Sequence, residues 1–115
     1  MPTAASELSE PFSWPQDGVT RVPYRLFSDK EIYQLEQERI FKGPVWHYIC
    51  LDIDIPKEGD YKTTNIGETP VVATRDEHDE VHVMVNRCAH KGALVCLKER
   101  GNASTLSCVY HSWTY

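Results

Sequence analysis

No stretch of this 115-residue chain is apolar over a length that could span a bilayer, which removes membrane-embedded functions. The first ten residues, MPTAASELSE, have neither the basic n-region nor the apolar h-region of a secretory signal. Positive charge is scarce: 12 Lys and Arg stand against 17 Asp and Glu, a formal net charge of −5. That balance excludes the broad cationic footprint of a nucleic-acid binder and is compatible with docking to a basic partner. Internal repeats and low-complexity tracts are absent. Cysteine is also sparse, and four thiols in a chain without a secretory signal point to metal or redox use in a reducing, cytoplasmic setting rather than to a disulfide framework.

What is present is enough for one hydrophobic core. Residues 1–27 are rich in Ser, Pro, Glu and Gly and read as an N-terminal arm. Residues 28–44 form a helix segment. Ser28 and Glu31 make a capping box ahead of Ile32, Leu35, Ile40 and Phe41, and Gly43-Pro44 ends the pattern, so a helix is expected over 29–42. From Val45 the texture becomes β-prone. Strands are expected at 45–51, 60–66, 70–75, 80–86 and 104–108, with Asp76–Asp79 as a polar hairpin turn. Val81, Val83 and Val85 alternate as one face of a half-buried strand. The fold class is therefore mostly β with an N-terminal helix, the β part being a small antiparallel domain over 45–115.

The chemistry lies near the end of that domain. Cys88 and His90 read C-x-H, and after a gap of seventeen residues Cys108 and His111 read C-x-x-H. Two thiolates and two imidazoles on two short loops form the ligand set of a Rieske [2Fe–2S] cluster, in which two His replace two Cys on one iron. With a 2+ core, four thiolates leave a net charge of −2, whereas two thiolates and two neutral imidazoles leave zero. An electron enters the neutral site more easily, so potentials lie at roughly −150 to +300 mV against about −400 mV for all-cysteine plant-type centres. Imidazoles at the loop tips would form the exposed exit for the electron and take up a proton on reduction, with the sulfurs deeper. Backbone N–H groups near Gly92 and Tyr110 are expected to donate to the sulfurs. Zinc also takes two Cys and two His, but its finger spacing groups the cysteines and then the histidines, unlike the alternation here. His47, His78 and His82 read as structural or solvated, Cys50 and Cys96 as free packing thiols, and Trp113 and Tyr115 as apolar cover over the second loop.

These residues also carry a resemblance. Asn86-Arg87-Cys88-Ala89-His90-Lys91-Gly92 and Cys108-Val109-Tyr110-His111 resemble the two cluster loops of the large (α) oxygenase subunit of bacterial aromatic-ring-hydroxylating dioxygenases. Glu38-Arg39-Ile40-Phe41, Trp46, Ile55-Pro56 and Gly59-Asp60-Tyr61 are similar to that family's entry into its Rieske domain. The opening Trp14-Pro15 and Gly18–Tyr24 look most like the subgroup acting on salicylate and anthranilate. Ala89 stands where Pro is usual, Lys91 where Arg is common, and Ser112 where Gly is usual. Respiratory Rieske proteins carry extra cysteines that form a disulfide. Here position 109 is Val and Cys96 is out of place, so no such disulfide is expected.

The resemblance implies an electron-relaying portion that accepts electrons from a ferredoxin or reductase and passes them to a mononuclear Fe(II). That iron, its 2-His-1-carboxylate ligands and all catalytic residues would belong to a C-terminal domain beyond Tyr115. The 45–115 domain, ending four residues past His111, is expected to be truncated, and the fragment to hydroxylate nothing by itself. A small (β) subunit and further α subunits are the implied partners. The alternatives are a stand-alone Rieske ferredoxin, whose ligand loops would lie mid-chain, and a structural zinc module.

Overall fold

A computed structural model of the chain describes residues 8–16, 18 and 20–115. The chain divides into two compact units, residues 1–45 and residues 46–115. No helix among the described residues is long and apolar enough to cross a membrane.

The first unit contains α1 (Arg25–Ser28) and α2 (Lys30–Glu36), so the expected arm already holds a helical turn where it is described. The capping box expected from Ser28 and Glu31 does not form. Asp29 caps α2 instead, its carboxylate accepting from the Glu31 and Ile32 N–H groups at 2.8 and 3.3 Å. Its other oxygen takes the Arg25 guanidinium at 2.5 Å, and this ion pair, with those capping N–H groups, holds the Asp29 carboxyl below its ordinary value. Glu31 is drawn away from the cap because its carboxylate accepts from the Ser9 N–H and hydroxyl at 3.0 and 2.8 Å. Ser28 turns its own hydroxyl to the Tyr24 carbonyl at 3.3 Å. The helix runs on past Glu36 as a π-helical turn, Gln37–Phe41, closed by the Lys42 N–H on the Gln37 carbonyl at 2.9 Å. Gly43 ends it for a steric reason, since a Cβ there would collide with the Arg39 carbonyl.

The second unit is a four-stranded antiparallel sheet with strand order β3-β2-β1-β4. β1 (Asp60–Ile66) and β2 (Thr69–Arg75) form a hairpin in which Ile66 faces Thr69 across Gly67-Glu68. β3 (Val81–Val85) pairs only with β2, and the short β4 (Arg100–Asn102) pairs with β1. The core sits on the central strand β2, where Val71, Val72 and Ala73 are buried, and extends to Ile55, Cys88, Cys96 and Cys108. The Cys96 thiol is raised above its ordinary value by burial, and none of the four cysteines is in a disulfide.

Arg75 closes the β2 end of this core. Its buried guanidinium donates to the Ile55 carbonyl at 2.6 Å and pairs with Asp52 and Asp79, so it ties a 3-10 turn at Asp52–Asp54 to the β2–β3 connection. Within that connection Asp76 accepts from the His78 and Glu80 N–H groups at 2.9 and 2.8 Å, forming the expected polar turn.

Three strand expectations differ from the fold. Residues 45–51 form no strand of the sheet, and Trp46, Tyr48 and Leu51 are exposed. The 104–108 strand shrinks to a bridge between Ser107 and Thr114. β3 forms as an edge strand, and none of its residues is buried: Val81, Val83 and Val85 keep about half of their surface exposed.

Candidate functional site

β3 leads through Asn86 into the first of two matching loops. In loop 1 the Cys88 N–H donates to the Ala93 carbonyl at 2.7 Å, and the Gly92 N–H returns to the Cys88 carbonyl at 2.8 Å. In loop 2 the Cys108 N–H donates to the Trp113 carbonyl at 2.8 Å, and the Ser112 N–H returns to the Cys108 carbonyl at 2.9 Å. Each loop therefore starts at a cysteine and is closed twice by the backbone of that cysteine. Each also needs a left-handed residue at its fifth position, Gly92 with φ 75° and Ser112 with φ 62°. Glycine adopts that conformation freely, whereas serine's Cβ crowds the backbone. Ser112→Gly is expected to stabilise the fold by about 0.5–1 kcal/mol, read as a rise in the denaturation midpoint.

The loops sort their side chains by depth. Cys88 and Cys108 are buried at 4% and 3% exposure, while His90 and His111 are exposed. The two imidazoles face one another edge to face, with ring centroids 4.9 Å apart. The structure thus brings all four expected residues together, sulfurs inside and imidazoles outside.

Loop 1 is held from several sides. The Arg87 guanidinium donates to the Gly92 carbonyl at 2.9 Å. Asn86, itself buried, donates from its amide nitrogen to the Cys96 carbonyl at 2.9 Å. Its amide oxygen accepts from the Cys96 and Val95 N–H groups at 2.8 and 3.2 Å. The Cys88 thiol is pulled below its ordinary value, first by the Tyr115 hydroxyl and then by the His90 backbone N–H. Burial opposes the shift, and the Cys108 sulfur and the Lys91 N–H add to it. The backbone donors on this sulfur, the His90 and Lys91 N–H groups, lie beside Gly92 as expected, while the Gly92 N–H itself is spent on the Cys88 carbonyl.

Trp113 and Tyr115 do more than cover loop 2. Leu106 and Tyr115 exchange two backbone hydrogen bonds of 2.8 Å, so residues 113–115 run back as the returning arm of a small hairpin. From that arm both aromatic residues reach across to loop 1. The Trp113 indole stacks on the His90 imidazole, centroids 4.8 Å apart and planes 8° apart. The Tyr115 hydroxyl lies 3.3 Å from the Cys88 sulfur and accepts from the Ala89 N–H at 3.0 Å. Either group can donate in the first contact while the sulfur is a thiol; a thiolate carries no proton, so against a thiolate the hydroxyl is the donor. A proline at position 89 would carry no N–H and could not orient the hydroxyl this way. Spacing alone could not show these cross-loop contacts, although the i, i+2 aromatic pair on an extended segment was a usable signal.

Among the described residues, the one trio of possible ligands whose donor atoms all lie within 4.8 Å of one another is Asp76, Glu80 and His82. No three of Cys88, His90, Cys108 and His111 converge in that way. In the Asp76 trio the carboxylate is already engaged by His82 at 2.7 Å, which lowers the Asp76 carboxyl to about 2.

The family model of the Rieske [2Fe–2S] domain matches residues 45–115. The chain belongs to the Rieske family. Among relatives of this Rieske chain, the large subunit of anthranilate 1,2-dioxygenase from Burkholderia cepacia is 50% identical over 112 residues, covering 97% of this chain and 26% of that subunit. The large oxygenase component of salicylate 5-hydroxylase from Ralstonia sp is 40% identical over 102 residues, covering 89% of this chain and 24% of that component. Among solved structures, naphthalene 1,2-dioxygenase from Rhodococcus sp. bound to indole aligns with a TM-score of 0.74 at 40% identity, covering 82% of this chain and 21% of that one. The Rieske chain thus spans about a quarter of the length of the relatives it matches.

Proposed function

We propose that Cys88, His90, Cys108 and His111 hold the [2Fe–2S] cluster of this Rieske domain, and that the chain is the electron-relaying portion of the oxygenase component of an aromatic-ring-hydroxylating dioxygenase. The observation that carries the ligand assignment is the sorting of two buried thiols and two facing, exposed imidazoles onto two matching loops. The donor set fits the group: sulfurs for one iron, nitrogens for the other. When bound, the cluster supplies reversible one-electron storage at a net charge near zero.

The chain's own residues do the rest. Cys88 and Cys108 anchor the site on the dry side and exclude water from the sulfurs. His90 and His111 stand exposed at the loop tips, on the solvent side of the site. Tyr115 donates a hydrogen bond to the Cys88 sulfur, and such a bond grows stronger as negative charge accumulates there. Tyr115→Phe is therefore expected to lower the midpoint potential by roughly 20–60 mV. That corresponds to one hydrogen bond of about 0.5–1.5 kcal/mol at 59 mV per tenfold for one electron. A spectroelectrochemical titration reads the shift.

The electron donor in this reading is a ferredoxin or reductase, and the acceptor is a mononuclear iron outside residues 1–115. The substrate is an aromatic acid of the anthranilate or salicylate type, in keeping with the relatives above. A small β subunit and neighbouring α subunits complete the assembly. Four free thiols suit a reducing, cytoplasmic compartment. The test uses the full-length protein with reductase, NADH and O₂, following consumption of anthranilate and salicylate. Ring hydroxylation that is lost in Cys88→Ser supports the reading. Rapid electron transfer to soluble acceptors with no oxygenated product would instead make the protein a carrier.

A further inference from the structure

His90 is an exposed side chain, and neither nitrogen of its ring takes a hydrogen bond among the described residues. Its ring contacts are the edge of His111 and the face of Trp113. Binding an iron through one ring nitrogen would fix that atom, but the torsion that sets the tilt of the ring plane is broad and is left to the packing around it. The indole limits that rotation, because a stack with planes 8° apart is disturbed by any turn of the ring out of plane.

Trp113 is well placed to impose this restraint. Its carbonyl is fixed by the Cys108 N–H at 2.8 Å, and the Leu106–Tyr115 pair holds the backbone on its other side. The left-handed turn at Ser112 brings the chain round so that the indole leaves loop 2 and lands on a residue of loop 1. Apolar cover alone would not need parallel planes. Tyr110 shows the contrast: it meets the neighbouring His111 at 4.0 Å but with its ring tilted 40°.

We propose that Trp113 is a positioning residue for His90, setting the plane of the imidazole from the opposite loop and so making the geometry on the nitrogen side of the site depend on both loops at once. This rests on the reading of His90 as a ligand. The stack holds the ring in one orientation over alternatives by about 2- to 10-fold, the range of one aromatic pair.

The experiment is pulsed EPR of the reduced, cluster-loaded full-length protein, comparing the unsubstituted form with Trp113→Leu and Trp113→Phe. Leucine keeps apolar cover but has no ring face; phenylalanine keeps the face. The expected result is two histidine nitrogen couplings in the unsubstituted protein. One of them is shifted or broadened in Trp113→Leu and restored in Trp113→Phe, with iron and sulfide content unchanged. If Trp113→Leu loses its cluster, the proposal requires Trp113→Phe to keep cluster and couplings alike, and loss in both variants overturns it. Unchanged couplings in a fully loaded Trp113→Leu also overturn it while leaving His90 a ligand. No histidine coupling in the unsubstituted protein removes the ligand reading itself, and the proposal with it.

Discussion

Replacing His90 by cysteine is expected to lower the midpoint potential of the cluster-loaded protein by roughly 100–350 mV, half the separation between Rieske and all-cysteine centres. The cause is charge. A neutral imidazole becomes a thiolate, so the electron must enter a site already one unit more negative. Position 90 tolerates the change sterically, because it lies at the exposed tip of loop 1 rather than in the packed root occupied by Cys88. The backbone closures at Cys88, Ala93 and Gly92 involve no His90 atom and should persist. Potential and iron content are read together in one titration. A fully loaded His90→Cys variant at the original potential would show that His90 is not a ligand.

The largest effect on stability is expected at Asn86. Its side chain meets the Cys96 N–H, the Cys96 carbonyl and the Val95 N–H, and its own backbone N–H donates to the Pro70 carbonyl at 2.8 Å. Asn86→Leu preserves volume but strands three backbone groups in an environment where the residue itself is 3% exposed. At about 1 kcal/mol for each lost partner, the expected destabilisation is about 3 kcal/mol, measured by chemical denaturation. Asn86→Asp keeps an acceptor for the two N–H groups but sets a carboxylate oxygen against the Cys96 carbonyl in a buried site, so it too should be destabilising. A loss well below about 1 kcal/mol in Asn86→Leu would mean that the amide network does not hold loop 1. Because Asn86 lies two residues before Cys88, Asn86→Leu should also release the cluster faster.

Sequence and structure agree where the signal is local or chemical. The grouping of Cys88, His90, Cys108 and His111 was legible because their spacing belongs to the chain itself, and the fold brings the two loops together with the thiols buried and the imidazoles facing one another. β1, β2 and the Asp76 turn were legible because alternation and turn chemistry are short-range. The failures share a cause, competition between partners that a linear pattern cannot rank. Ser28 and Asp29 both suit a helix cap, and Asp29 wins because Arg25 and two backbone donors converge on it while Ser9 captures Glu31. Residues 45–51 have strand composition but form no strand of the sheet, and strand propensity is largely a matter of neighbours. The cross-loop reach of Trp113 and Tyr115 depends on the Leu106–Tyr115 pairing and on the left-handed turn at Ser112. Only the folded loop shows where those rings land.

Iron K-edge EXAFS on the loaded protein tests most directly whether two cysteines and two histidines share one binuclear cluster. The expected first shell averages about three sulfurs and one nitrogen per iron, the mean of an iron held by two sulfides and two thiolates and one held by two sulfides and two imidazoles. A shell of about four sulfurs per iron and no nitrogen would contradict the assignment of His90 and His111.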